Sequence, residues 1–574
     1  MILAQRPSWA LRIALAALLA SATSTALPPP PGAANVAAVR QLPAKTFFRL
    51  THALPKAFAP ASAITRVARY GSGFKNSVKE LFTRKFGGFS RAYTTAQTLS
   101  DQRLQKMPDE ARANLAGALL KPGLLTGRAT REGASQQFVR VLTAHGEEPG
   151  HILSVLSRLG YHDPSKLEKR LAGPAKAEFS RLMAKTQAKP GDWDAFHAFA
   201  DTATHTQARR GSEVDLLIDG KRYYAAMGSA IERAQRYVLL EKYMVHGDGV
   251  GRELVQQLKV ASERGVHTQA IYDRTGSSET SPKLFDEMKR AGVRALGHAS
   301  QRILGGLLDH RKLMVVDGKE GYIGGMNVGN EYRDVWHDVQ SRVSGPAVAD
   351  MAGLVAKQIK ANGGKLPRSI RKQINRSLRE VDAPPPGAAN NHTVRVVAHE
   401  GMVDQHQKLL YLRAIDTATQ RILLENPYFS DSDVVGRLAA AARRGVDVRL
   451  VIPMKNESDL LKVAARAHYR ELLSAGVRVY EYFGKNPEKP VMTHGKVALF
   501  DDEIATIGSS NLDARSLVNN HEANIWTRNA SLNMNLRKNL FERDFRNSHE
   551  VRAYRPNPWQ KAQDGTTKAI SGLL

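Results

Sequence analysis

One eight-residue pattern, His-x-Lys-x-x-x-x-Asp, occurs twice in this chain and constrains its fold more than any other feature. It reads His310-Arg-Lys312-Leu-Met-Val-Val-Asp317 and again His494-Gly-Lys496-Val-Ala-Leu-Phe-Asp501, 184 positions apart. The self-similarity extends well past the motif, as an internal repeat must. Gly324-Gly325-Met326-Asn327 and Gly508-Ser509-Ser510-Asn511 both begin 14 positions after their histidine, and Asp338 and Glu522 both lie 28 positions after it. Upstream, Ala230-Ile231 and Leu239-Leu240-Glu241 match Ala414-Ile415 and Leu423-Leu424-Glu425 at the same offset. Arg264-Gly265-Val266 matches Arg444-Gly445-Val446 at an offset of 180, so a small insertion and its compensation lie between the matched blocks. One domain is used twice.

Each copy alternates strand and helix signals, which predicts an α/β unit with a central sheet covered by helices. Leu239-Leu240 and Leu423-Leu424 read as buried strands, each after a helix containing Ala230 or Ala414. Leu254 to Arg264 and Val434 to Arg444 have helical spacing and stop at a glycine. Lys312 to Val316 and Lys496 to Phe500 read as core strands, followed by turns and return strands at Gly321 to Ile323 and Ile504 to Ile507.

Residues two apart on a strand share a face, so His310 projects with Lys312 and His494 with Lys496. The Asn after the glycines, Asn327 or Asn511, can converge on the same point because glycine permits a close backbone approach. An imidazole, an ammonium and an amide, with Ser509 beside them in the second copy, suit an oxyanion and above all a phosphate. Two such patches face to face place two imidazoles around one phosphorus, one to attack and one to protonate the leaving oxygen. The lysines and asparagines stabilise the charge on the remaining oxygens. A histidine in that role needs a partner on its other ring nitrogen, and Asp338 and Glu522 are the candidates. Asp317 and Asp501 fall at odd spacing from their histidines, so they are expected to point away and serve structure. A single copy of the motif would be an ordinary surface pair; two complete copies argue against an inactive remnant.

With these residues in place, the chain resembles the phospholipase D superfamily, whose hallmark is this doubled motif followed by Gly-[Gly/Ser]-x-Asn. His310 through Tyr332, with Gly324-Gly325-Met-Asn327-Val-Gly329-Asn330-Glu331-Tyr332, and Gly508-Ser-Ser-Asn511-Leu-Asp513-Ala-Arg515-Ser516 are similar to its bacterial cardiolipin synthase branch. The resemblance covers roughly 213 to 550. It implies two tandem phospholipase D-type α/β sandwich domains related by a pseudo-twofold, a phosphohistidine intermediate, no metal or other cofactor, and transfer to an alcohol or to water. By analogy His310 is the nucleophile and His494 the acid, an order the residues themselves leave open. The implied substrate is an anionic phospholipid of the phosphatidylglycerol kind. A phosphodiester nuclease, a secreted lipase-type toxin and a non-catalytic membrane-binding scaffold are the other readings. Both repeats lie in one chain, so a monomer suffices for one complete site.

Composition narrows the remainder. The chain has no cysteine, which excludes disulfides, a thiol nucleophile and thiolate metal sites. Its histidines show no metal-ligand spacing. Net charge is +28, from 83 basic and 55 acidic residues. Arg40 to Arg91 alone holds eleven Lys/Arg against Glu80, interleaved with aromatics, a composition that suits an anionic membrane surface and also nucleic acid. Arg6 and Arg12, the apolar run Ile13 to Ala20 and Ser24-Thr25-Ala26 form the three parts of a secretory signal. The apolar run is short for a membrane span, though an uncleaved anchor is the alternative. The expected address is therefore export across the inner membrane, periplasmic or secreted, with peripheral membrane association. The expected divisions are signal or short anchor 1–26, basic aromatic-rich segment 27–94, mostly helical accessory domain 95–212, first repeat 213–358, basic and Pro-rich connector 359–393, second repeat 394–550 and flexible tail 551–574.

Overall fold

The computed structural model describes residues 89–120, 128–298, 307–380 and 392–570. The signal-like segment, nearly all of the basic aromatic-rich stretch and the Pro384 linker lie outside them. In chain order the strands are β1 (Arg209–Arg210), β2 (Glu213–Ile218), β3 (Tyr237–Lys242), β4 (His267–Asp273), β5 (Arg294–His298), β6 (Lys312–Val316), β7 (Glu320–Gly324) and β8 (Val339–Ser344). The second series is β9 (Thr393–His399), β10 (Arg421–Glu425), β11 (Asp447–Pro453), β12 (Arg478–Tyr482), β13 (Val497–Phe500), β14 (Ile504–Gly508), β15 (Glu522–Arg528) and β16 (Ser548–Val551).

One sheet runs β2-β8-β7-β6-β3-β4-β5, and the other β1-β9-β15-β14-β13-β10-β11-β12-β16. The order β8-β7-β6-β3-β4-β5 recurs as β15-β14-β13-β10-β11-β12, so the repeat seen in the sequence is a repeat of topology. In both, the strand carrying the HxK motif pairs antiparallel to the buried Leu-Leu-Glu strand, which pairs parallel to the next. The strands are apolar on both faces because each sheet is covered on both sides, the usual state of sheets with parallel pairs. Leu313, Val315 and Ile323 of the first sheet share one core with Val497, Leu499, Ile507 and Ile525 of the second, so the two sheets pack face to face.

The expected helical region carries eight helices from Phe89–Thr98 to Trp193–Thr204 among the described residues. Its last helix drives Trp193, Phe196 and Phe199 into the second repeat's core beside Phe500 and Trp526. Arg209–Arg210 then adds β1 to the edge of the second sheet through β9. Two of the expected segments contain helices. The basic connector includes the helix Arg368–Arg379, anchored by buried Ile370 and Ile374, with its five cations exposed on the other face. The expected flexible tail includes the helix Pro558–Ile570, with Tyr554 hydroxyl 3.2 Å from Asp564 Oδ2. In both, apolar residues at helical spacing were outweighed in the sequence by charge and polarity.

Candidate active site

His310 and His494 each precede their strand by two residues or more, at the end of the sheet where β8 and β15 also begin. There the two repeats join by main-chain bridges. His310 N donates to His521 O (3.0 Å) and His521 N to Leu308 O (2.8 Å). On the other side, His494 N donates to His337 O (2.7 Å) and His337 N to Met492 O (3.0 Å). Each bridge lays the segment ahead of one repeat's carboxylate alongside the histidine of the other.

The consequence is an exchange of partners. His310 Nδ1 lies 2.9 and 3.1 Å from the two oxygens of Glu522, and His494 Nδ1 lies 2.7 Å from Asp338 Oδ2. Each histidine is thus oriented by the other repeat's carboxylate, leaving Nε2 for chemistry. All four groups are buried. Burial pushes both carboxylates up to about 7, opposed for Glu522 by Lys312 and for Asp338 by Lys496. Burial first, then the charges of Lys312 and Lys496, hold both imidazoles well below their ordinary value. Both lysines act on both histidines, so the two halves form one electrostatic site.

Lys312 Nζ donates to His310 O (2.5 Å) and Lys496 Nζ to His494 O (2.6 Å). Burial lowers both, Lys496 to about 8 and Lys312 well below its usual range. Asn511 Oδ1 is buried without a partner. Asn327 is more engaged: its Nδ2 donates to Tyr332 hydroxyl (2.7 Å) and its Oδ1 accepts from Met244 N (3.3 Å). Ser509, expected on the phosphate, also holds a carboxylate. Its hydroxyl donates to Glu522 Oε2 (2.5 Å) and accepts from Ala523 N (3.0 Å), while Ser516 holds Glu522 Oε1 (2.6 Å). The matching position in the first copy is Gly325, where a Cβ would collide with Asp338.

Asp317 and Asp501 lie at the opposite ends of their strands, with φ of 55° and 52°. Asp317 accepts from the backbone N–H groups of Gln235, Arg236 and Tyr237, and Asp501 from those of Thr419, Gln420 and Arg421. They fasten the turn after the motif strand to the start of its neighbour.

Sequence reasoning missed the rings around the histidines. Tyr243 packs edge-on to His310 (4.8 Å between centroids), and Tyr332 and Trp336 pack against His494 at 5.4 and 5.6 Å. It also missed Lys242, opposite Lys312 in the β3–β6 register, whose Nζ donates to Tyr223 hydroxyl (2.9 Å) and Met326 O (3.0 Å). Burial drops that lysine to about 7. The repeat offset held a clue: Asn426, at the matching position, donates to the matching carbonyl, Ser510 O (3.3 Å).

Among the described residues, one trio (His337, Glu425 and Asp544) brings metal-type ligand atoms within 4.8 Å of one another. His337 Nδ1 already faces Asp219 at 2.5 Å and Nε2 faces Asp544 at 3.2 Å, with Arg543 Nη2 2.9 Å from Nδ1. These side chains form an ion-pair network with Asp219 and Arg543.

Two repeats sharing one histidine–lysine site define the phospholipase D-like class. Comparison with known proteins agrees and goes further. The family model described as cardiolipin synthase, PLD-like domain, matches residues 227–353 and 411–545. Cardiolipin synthase A of Pseudomonas fluorescens (strain SBW25) is 32% identical over 354 residues, covering 59% of this chain and 70% of that protein. Cardiolipin synthase B of Salmonella typhi is 33% identical over 346 residues, covering 58% of this chain and 80% of that protein. In fold, the chain is similar to the phosphatidylserine synthase of Haemophilus influenzae, with a TM-score of 0.52 at 12% identity over 66% of this chain and 100% of that one. The chain belongs to the cardiolipin synthase family of phospholipase D-like proteins.

Proposed function

We propose that this protein is a phosphatidyltransferase that joins two anionic phospholipids of the phosphatidylglycerol kind into cardiolipin through a phosphohistidine. The observation that carries the reading is the exchanged pairing: two imidazoles, each anchored at Nδ1 by the other repeat's buried carboxylate. His310 Nε2 attacks phosphorus, the bond from phosphorus to the glycerol oxygen breaks, and His494 gives its proton to that oxygen. The hydroxyl of a second lipid then gives its proton to His494 and attacks phosphorus, and the bond to His310 breaks. Burial and the two lysines disfavour charge on either imidazole. A bound phosphodiester anion offsets the two lysines and restores the proton that the leaving oxygen needs. Lys312, Lys496 and the Nδ2 group of Asn511 donate to the non-bridging oxygens. The exposed cations of Arg368–Arg379 and the charge of +28 favour work at an anionic membrane surface, after export.

The direct test incubates the protein with phosphatidylglycerol vesicles in EDTA and identifies products by mass spectrometry. Cardiolipin with one glycerol per product is expected. Phosphatidic acid alone would make the protein a hydrolase, and no lipid turnover would overturn the proposal.

A further inference from the structure

The two halves of the site follow one plan but are neutralised differently. Each has a carboxylate buried beside its motif, Glu241 in the first repeat and Glu425 in the second. In the first, Arg311 stands between the motif's histidine and lysine, with Nε 2.8 Å from Glu241 Oε1 and 2.9 Å from Asp309 Oδ1. In the second, that position is Gly495, where a Cβ would come within 2.6 Å of Glu425 Oε1. The cation facing Glu425 is instead His337, whose Nε2 lies 3.8 Å from Glu425 Oε1.

His337 and His521 hold matching positions, each one residue before the carboxylate that orients a histidine. Burial and the charge of Arg311 hold His521 down to about 4, so it is neutral. Burial also pulls on His337, but Asp544, Glu425 and Asp219 outweigh it and raise His337 well above its ordinary value. Arg543, against the ring, opposes this; Tyr482 stacks on the ring at 5.0 Å. Through its main chain, His337 pairs directly with His494. Through its charge, it works with Lys496 and the Val339 N–H to hold down Asp338, which burial drives up.

We infer that His337 is a positioning residue of the second half-site, a buried cation that balances Glu425 and keeps Asp338 charged so that His494 stays oriented. The first half-site balances Glu241 with a permanent cation, Arg311, and the second balances Glu425 with a titratable one. The inference rests on the transfer chemistry above but not on the choice of lipid.

The test compares pH profiles of kcat for the full-length wild type, His337→Gln and His337→Arg. With His337→Gln the acidic limb is expected to move up by about one pH unit, and kcat near neutrality to fall about tenfold. His337→Arg restores the limb. An unmoved limb in His337→Gln, or the same shift in both variants, would overturn the inference. If His337→Gln does not fold, His337→Gln/Glu425→Gln removes charge and counter-charge together; it is expected to fold, and its failure to do so would also count against the inference. A second measurement needs no substrate. A raised histidine stabilises the fold fully below about pH 6.5 and loses that contribution as pH rises through its folded value. The Tm of the wild type is therefore expected to fall relative to His337→Arg as pH rises above about 6.5. A pH-independent difference would show that His337 carries no such charge, whether or not the protein proves to be a phosphatidyltransferase.

Discussion

At the scale of single residues, the proposed chemistry rests on two imidazole–carboxylate pairs in which both partners are buried. The carboxylates matter through their charge, because an ionised group fixes the Nδ1–H tautomer and stabilises the imidazolium that forms during transfer. Burial has raised Asp338 and Glu522 to about 7, so each takes up a proton as pH falls through that value and the anchor is lost. Turnover is therefore expected to fall on the acid side of about pH 7, measured as kcat against pH. Glu522→Gln and Asp338→Asn preserve shape and remove charge, and each is expected to cost about 10²–10³-fold in kcat. Measuring kcat and KM separately checks that the loss falls on the chemical step. A loss in KM alone would assign these carboxylates to substrate binding.

At the scale of elements, each motif strand is fixed at both ends by different means. The site end is held by the main-chain bridges to the other repeat, and the far end by Asp317 or Asp501. Removing either carboxylate orphans three backbone N–H groups. Asp317→Ala is expected to cost about 2–4 kcal/mol in urea unfolding, since each orphaned donor carries part of its desolvation penalty. Both turns also hold an aspartate at positive φ, which Asp tolerates better than Ala. The assignment of these two residues to structure was legible from spacing, because period-two alternation places them off the face of His310 and His494. The exchange of carboxylates between repeats was not. Asp338 and Glu522 sit at equal offsets from their histidines, so pairing within a repeat and across repeats produce the same pattern in the sequence. For Ser509, the contact with Glu522 was hidden for a related reason. Its neighbours in sequence suggest a phosphate site, but Glu522 lies across the β14–β15 pair and takes its hydroxyl first. The rings that Tyr243, Tyr332 and Trp336 set against His310 and His494 come from two separate segments, one around Tyr243 and one holding Tyr332 and Trp336, that the repeat offset does not relate.

At the scale of the whole molecule, the two sheets share one apolar core and the helical region is packed into the second of them. Phe196 lies between Trp193 and Trp526, with ring centroids 5.7 and 5.8 Å away. Phe196→Ala is expected to destabilise the fold by about 3–5 kcal/mol. Calorimetry should show the loss in the transition that carries the second repeat, rather than in a separate early event. The shared core also explains why neither repeat holds a complete site: each supplies its histidine and lysine to one half and its carboxylate to the other.

The most direct test of that arrangement is a burst experiment with a phosphatidyl ester of 4-nitrophenol, whose leaving group needs no proton. His494→Ala retains the nucleophile and lacks the residue that activates the acceptor. It should release a rapid burst of about one nitrophenolate per chain and then stall, with the phosphatidyl group recovered on His310, whereas His310→Ala should show no burst. A burst in His310→Ala, or none in either variant while the wild type turns over, would contradict one covalent site assembled from both repeats with His310 as its nucleophile.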